Sequence, residues 1–262
     1  MTAQNLPRTL TVAVAGGTGT VGSRVVDALR AAGHRPYVLT RGSGVDLVTG
    51  SGLDAALDGV DAVIDAANVT TMSARTATRF FTAATGHLVR AAQRAGVRHV
   101  VLVSIVGIDR MPHDYYAGKL AQERVVADSP VPWTIVRATQ FHEFAAQLFA
   151  RAAAGPLHLA PRARVQPIAA AEVGAALAEL AAGPALDGTL ELAGPREERL
   201  DDMIQRYARR IGHRGPVPSV SLPGAQMRGM RAGFALPGPD ARRGVQTFDE
   251  WLDRVPAARE RR

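Results

Sequence analysis

Apolar runs and helical periodicities alternate along the first half of this chain. Residues 9–15, TLTVAVA, form a β-branched apolar run of strand length and read as a buried strand. Residues 20–32 place apolar side chains at helical spacing and stop at Gly33, a residue suited to a helix C-terminus. Short strands are predicted at 36–40 and 45–48, and longer apolar ones at 60–66 and 98–104. A long helix is predicted over 75–95, ending at Gly96. A helix carrying Tyr115 and Lys119 follows, then a strand at 132–137. Strand and helix in alternation with short connections predict an α/β fold, a Rossmann-like doubly wound parallel sheet with helices on both faces.

Beyond residue 140 the pattern loosens. Helices are predicted at 140–153, 170–182, 200–211, near 222–234 and near 247–254, with a strand in LDGTLELAG. Residues 155–167 are rich in Pro and Arg, and 212–224 in Gly and Pro. No internal repeat or low-complexity linker divides the chain. The expectation is one domain over 1–262, with a core at about 8–140 and a small C-terminal substrate-binding cap from about 141 onward.

Composition narrows the chemistry. Hydrophobic residues make up 47% but aromatics only 5%, so the core must be built from Ala, Val and Leu. Cysteine is absent, which removes disulfides, thiolate metal sites and Cys nucleophiles. None of the seven histidines stands in HxxxH or HExxH spacing, so no metal is expected. No apolar run reaches 18 residues, and MTAQNLPRTL has no signal-peptide pattern, so no membrane span and a cytoplasmic location are expected. The net charge is +7, yet the arginines are scattered and cluster only in the tail RVPAARERR, so no nucleic-acid partner is expected. The expected partner is a small-molecule substrate, the expected assembly a monomer or homodimer.

Two motifs carry the functional reading. AVAGGTGTVGSRVV follows the first strand and opens the first helix. Gly16, Gly19 and Gly22 give the spacing that makes a tight turn, lets a pyrophosphate approach the backbone and packs helix on strand. The helix N-terminus then offers N–H groups to the phosphates. The second strand ends at Thr40-Arg41, where a dinucleotide fold that prefers NAD carries an acid for the ribose 2′-hydroxyl. Arg41 accommodates a 2′-phosphate instead, so NADP(H) is expected over NAD(H). Asp46 is placed to meet the adenine.

The second motif is DYYAGKLAQE. Thirty-one residues are basic, and Lys119 is the single lysine. An ammonium is a compact charge with a tunable pKa, which a guanidinium is not. Lys119 lies four residues after Tyr115, so the two share a helix face, while Tyr116 is rotated away. A phenol beside a cation makes a proton-transfer pair, the cation lowering the phenol pKa.

Four stretches together resemble the atypical short-chain dehydrogenase/reductases, in particular the NmrA-like branch of NAD(P)-binding proteins. They are GGTGTVG at 16–22, DAAN at 65–68, VVLVSIVGID at 100–109, and YYAGKLAQE at 115–123 with PWTIVRATQF at 132–141. The resemblance covers about residues 9–142. It implies a bound dinucleotide and a cleft roofed by the C-terminal part. It gives Tyr115 the proton, Lys119 the nicotinamide ribose and the tuning of Tyr115, and Ser104 the substrate carbonyl. The cofactor would touch Gly16, Thr18, Gly19, Thr20, Val21, Gly22, Arg41, Asp46, Ala66, Ala67, Asn68, Ser104 and Lys119. Val106, Tyr115, Gln140, Phe141 and His142 would line the substrate pocket. The activity implied is NADP-dependent reduction of a carbonyl or quinone-like small molecule. The family also holds non-catalytic redox sensors, and the same Tyr–Lys pair serves epimerases and dehydratases that retain their cofactor.

Overall fold

The computed structural model describes residues 8–257. The N-terminal segment and most of the basic tail, on which the signal-peptide and nucleic-acid expectations partly rested, lie outside them. The chain winds through seven parallel strands. They are β1 (Thr11–Ala15), β2 (Arg35–Leu39), β3 (Ala62–Asp65), β4 (His99–Ile105), β5 (Trp133–Ala138), β6 (Gly188–Ala193) and β7 (Arg242–Arg243). Their order across the sheet is β7-β6-β5-β4-β3-β1-β2, every pair parallel. This is the predicted Rossmann-like α/β architecture.

Alternation along the buried strands decides which side chain meets which helix. In β1, Val12 and Val14 join a cluster with Val25 and Leu29 of α1 (Thr20–Ala31) and Val173 and Leu177 of α6 (Ala170–Ala182). Ala13 and Ala15 point the other way, toward α2 (Leu53–Ala56), α3 (Ala74–Arg94) and α4 (Asp114–Ala127), through Leu53, Leu88 and Val126. Both faces of the sheet are thus covered, as parallel sheets require.

A third cluster forms the cap. It joins Ile108, Met111 and Tyr116 from the loop after β4 and the start of α4 to four later helices. These are α5 (Glu143–Arg151), α7 (Leu200–Arg210), α8 (Ala225–Arg231) and α9 (Phe248–Asp253). The sequence-based boundary at residue 140 separates core from cap too early. Strand β6 pairs with β5 from Gly188↔Thr134 to Leu192↔Ala138, and α6 packs on α1, so both belong to the sheet domain.

The strand expected at 45–48 is absent. Gly44, Gly50 and Gly52 all have φ near +80°, and the Asp46 carboxylate accepts from the Val48 and Thr49 amides. A chain held by its own Asp side chain between left-handed glycines is a turn and has no extended ladder to offer. The sheet consequently ends at β2, whose exposed Arg35 and Tyr37 mark an edge. Among the described residues no helix is long and apolar enough to cross a membrane.

Candidate cofactor cleft and active site

The order of strands reverses between β1 and β3, so the loops after these strands diverge and leave a crevice at their carboxyl ends. Gly16 sits there with φ +71°, and a Cβ on it would strike the Ala66 carbonyl of the turn after β3. Gly22 lies in the first turn of α1, where a Cβ would strike the Gly16 carbonyl. These two glycines bring loop, turn and helix together. Gly19 differs: its missing Cβ would meet only the Gly16 carbonyl oxygen, at 3.2 Å, and its other side is open. Gly19 caps α1 with no side-chain hydrogen bond. The N–H groups of Thr20, Val21 and Gly22 at the helix start are therefore free to meet an anion. That backbone cradle fits a phosphate-bearing cofactor.

The cleft extends from the cradle toward β2, with a volume of about 260 Å³. Gly16, Thr18, Arg41, Asp46, Ala67 and Asn68 line it together with Leu39, Thr40, Val45, Leu47, Val48 and Phe80. Thr40 and Ser43 cap each other reciprocally around Arg41. The Arg41 side chain is 86% exposed and only 3.9 Å from the Asp46 carboxylate. So loose and wet a pair adds little stability and leaves the guanidinium available to an anion. The T-x-x-S pattern at 40–43 could have drawn attention to Thr40. Phe80 carried no signal, since an aromatic beside Phe81 on a long helix reads as packing.

The turn after β3 joins the two halves of the site. Asp65 accepts from the Ala67 amide at 3.0 Å, which holds Ala67 and Asn68 in the cleft wall. The Tyr115 hydroxyl donates to Asn68 Oδ1 at 2.7 Å. Tyr115 is the second residue of α4, and Asp114 before it has φ +51°, a strained conformation for an L residue. Gly118 lets α4 approach α3, with its Cα facing Ala77. Phe81 of α3 meets Tyr115 edge-on at 5.6 Å and lies 4.8 Å from the Lys119 ammonium.

Lys119 is buried, and its Nζ donates to the Val103 carbonyl and to Gln122 Oε1, each at 2.6 Å. Burial pulls the ammonium down to about 8, with Asp65 and Glu123 opposing that shift. The Tyr115 phenol moves the other way. Burial pushes it above its ordinary value, Tyr116 adds to this, and Lys119 does not counter it. The expected lowering of the phenol by the ammonium is thus absent from this arrangement, because the ammonium is turned onto the strand and Gln122.

Ser104 ends up buried near the end of β4, its hydroxyl without a hydrogen-bond partner. Gln140, just beyond β5, is buried with neither amide atom in a hydrogen bond. Val106 is fully buried, its amide bonded to the Ala138 carbonyl. Two expected pocket residues lie elsewhere. Phe141 bridges to Ile168 and packs on the α1–α6 side of the core. His142 is fully buried, its Nε2 3.1 Å from the Gln246 carbonyl and its ring against Phe248 and Trp251. Helix α9 covers it, and burial pulls the imidazole below its ordinary value. Tyr116 points into the cap cluster, as its helical offset predicts.

A family model described as NAD(P)H-binding matches residues 16–184, from the glycine cradle through α6. The chain belongs to that family. The relationship agrees with the resemblance carried by the Gly16–Gly22 loop and the Tyr115–Lys119 helix. Among curated proteins, a (4-alkanoyl-5-oxo-2,5-dihydrofuran-3-yl)methyl phosphate reductase of Streptomyces griseus is 35% identical over 144 residues. That alignment spans 50% of this chain and 48% of the relative, about half of each. Among solved structures, an NADPH-dependent quinone oxidoreductase of Escherichia coli superposes with a TM-score of 0.70 at 18% identity. The superposition covers 93% of this chain and 99% of that one. A nucleoside-diphosphate-sugar epimerase of Staphylococcus aureus gives 0.68 at 13% identity, over 93% and 99%. At such identities the superpositions establish the shared fold.

Proposed function

We propose that this protein is an NADP(H)-dependent reductase of a carbonyl or quinone-like small molecule. The observation that carries the reading is the 2.7 Å hydrogen bond from the Tyr115 hydroxyl to Asn68, a residue of the cofactor cleft wall. It puts a proton-bearing group at the edge of the dinucleotide site. The bound cofactor supplies the hydride, and the protein supplies position and proton. The backbone at Gly19–Gly22 holds the pyrophosphate, and Arg41 takes the 2′-phosphate. Lys119 keeps one N–H beyond those given to Val103 and Gln122, and directs it to the nicotinamide ribose.

Tyr115 gives its proton to the product oxygen. Its raised pKa keeps it protonated in the neutral range but makes it a weaker acid, so the proton moves only as the more basic oxyanion of the product develops. Ser104, whose buried hydroxyl has no partner, bonds the same oxygen. Support for NADP(H) comes from Arg41 and from the NADPH bound to the structurally similar quinone oxidoreductase.

The deciding experiment follows NADPH and NADH oxidation with a panel of quinones and aldehydes. Turnover with NADPH on any member supports the reductase. A second reading has one observation in its favour: Lys119 spends two N–H groups on the protein and none on Tyr115. Tight NADPH binding with no oxidation across the panel would favour that reading, a non-catalytic dinucleotide sensor.

A further inference from the structure

Beneath the cleft lies a closed polar network around Lys119 whose other members the reaction scheme leaves unused. Asp65, Thr85, Gln122 and Lys119 are all buried. Thr85 Oγ1 donates to Asp65 Oδ2 at 2.7 Å, and Gln122 Nε2 donates to the same oxygen at 3.0 Å. Gln122 Nε2 also donates to Thr85 Oγ1 at 2.8 Å. Gln122 Oε1 then accepts from Lys119 Nζ, and Asp65 Oδ1 accepts from the Ala67 amide. Every hydrogen of the Gln122 amide is used. The amide has one tolerable orientation, because a flip would set two oxygens against each other at Asp65 and an NH₂ against the ammonium. The chain of bonds runs from the cofactor-side turn at Ala67 to the only lysine in the protein.

We propose that Gln122 is a positioning residue for Lys119: its carboxamide, oriented by Asp65 and Thr85, fixes where the ammonium points and keeps it charged beneath the cofactor cleft. This rests on the reading of Lys119 as a working part of the site. A buried ammonium is unfavourable unless acceptors replace its water. Lys119 finds two such acceptors, and only Gln122 is a side chain whose loss is testable. The charged groups acting on the ammonium are Asp65 from β3 and Glu123 from α4. Glu123 is already held by a bidentate pair with Arg137 of β5, at 2.9 and 2.7 Å. Helix α3 contributes the Phe81 ring and the Thr85 hydroxyl, and α4 adds the Tyr115 phenol, all uncharged near neutrality. Gln122 therefore couples Lys119 to Asp65 without a direct ion pair, which would draw the ammonium away from the cleft.

The single lysine makes the test direct. The full chain labelled with ε-¹³C lysine gives one side-chain resonance, which can be titrated without assignment and without a known substrate. The wild-type midpoint should fall at about 8. Gln122→Met removes the acceptor at similar volume and should lower the midpoint by about half a unit or more. Gln122→Asn keeps the amide but is one methylene short, so it should lower the midpoint too, and it preserves polarity if the Met variant does not fold. Gln122→Glu should raise the midpoint by a similar amount. Wild-type midpoints in the Asn and Glu variants overturn the positioning role alone. A lysine resonance that ignores added NADPH, with unchanged NADPH affinity in Lys119→Met, overturns the role given to Lys119 itself.

Discussion

Burial and charge oppose each other at Lys119, and the outcome sets a pH dependence. With its pKa drawn down to about 8, Lys119 is cationic below that pH and neutral above it. If the ammonium holds the ribose, NADPH affinity should fall as pH rises through about 8, in a binding titration on the free protein. Lys119→Arg should not rescue it, because the planar fork cannot occupy the space of an ammonium under Phe81. Tyr115→Phe removes the proposed acid and should slow turnover roughly 100- to 10,000-fold with NADPH affinity largely kept. Tyr116→Phe should do far less, since that ring is packed in the cap. Steady-state kinetics on the two variants separate them, and near-normal turnover in Tyr115→Phe would rule out the phenol as donor. At the far end of the cleft, Arg41→Asp should narrow or reverse the preference for NADP(H) over NAD(H). The wild-type preference should be about tenfold or more, the scale of one charge-assisted phosphate contact. Equal dissociation constants for the two cofactors in the wild type would remove Arg41 from the phosphate site.

At the scale of elements, the site depends on how closely α4 lies on α3. A Cβ at Gly118 would sit 2.5 Å from Ala77 Cβ and 2.6 Å from the Ala77 carbonyl carbon, and neither helix backbone can give way locally. Gly118→Ala should therefore cost about 1–3 kcal/mol of stability by overpacking, measurable in urea unfolding. It should also weaken NADPH binding, because Tyr115 and Lys119 flank the contact. Unchanged stability would mean that the two helices tolerate separation. The segment 45–48 teaches a related lesson about elements. Val45 and Val48 have strand propensity, yet Asp46 and three flanking glycines impose a turn. That turn supplies Val45, Asp46, Leu47 and Val48 to the cleft, where an extended strand would have continued the sheet.

For the whole molecule, the first 140 residues form an incomplete sheet domain. They leave β5 without β6 on its outer side and α1 without α6. Val25 and Leu29 would lose Val173 and Leu177. A fragment ending at residue 140 should lack a cooperative thermal transition by circular dichroism, whereas a chain ending after β6, at residue 194, should regain much of the sheet domain's structure. A sharply melting 140-residue fragment would contradict this. The cap reaches the site through the loop after β4. Gly107, with φ +77°, lies so close to the Phe234 carbonyl that a Cβ would collide with it. Arg110 stacks over the Phe234 ring at 5.9 Å and donates to the Leu236 carbonyl at 3.1 Å. The loop bearing the start of α4, and hence Tyr115, is thus braced by residues more than a hundred positions away.

The sequence by itself determined the alternation of strands and helices, the parallel sheet, the glycine cradle and the shared face of Tyr115 and Lys119. Each is a local property of spacing or residue type, readable within one element or one turn. Only the tertiary structure decided where the side chains finish. His142 follows a strand end like any cleft residue, but α9, arriving from a hundred residues later, buries it. Phe141 turns to the core because Ile168 pairs beside it. Phe80, on the long helix α3, lines the cleft beside Ala67 and Asn68, which come from the turn after β3. The offset of four residues placed Lys119 and Tyr115 on one face, but the ammonium followed the nearest strong acceptors, Val103 and Gln122. Helical periodicity fixes a direction, whereas the hydrogen-bond partners that packing brings within reach fix a contact, and the desolvation of a buried charge makes those contacts decisive.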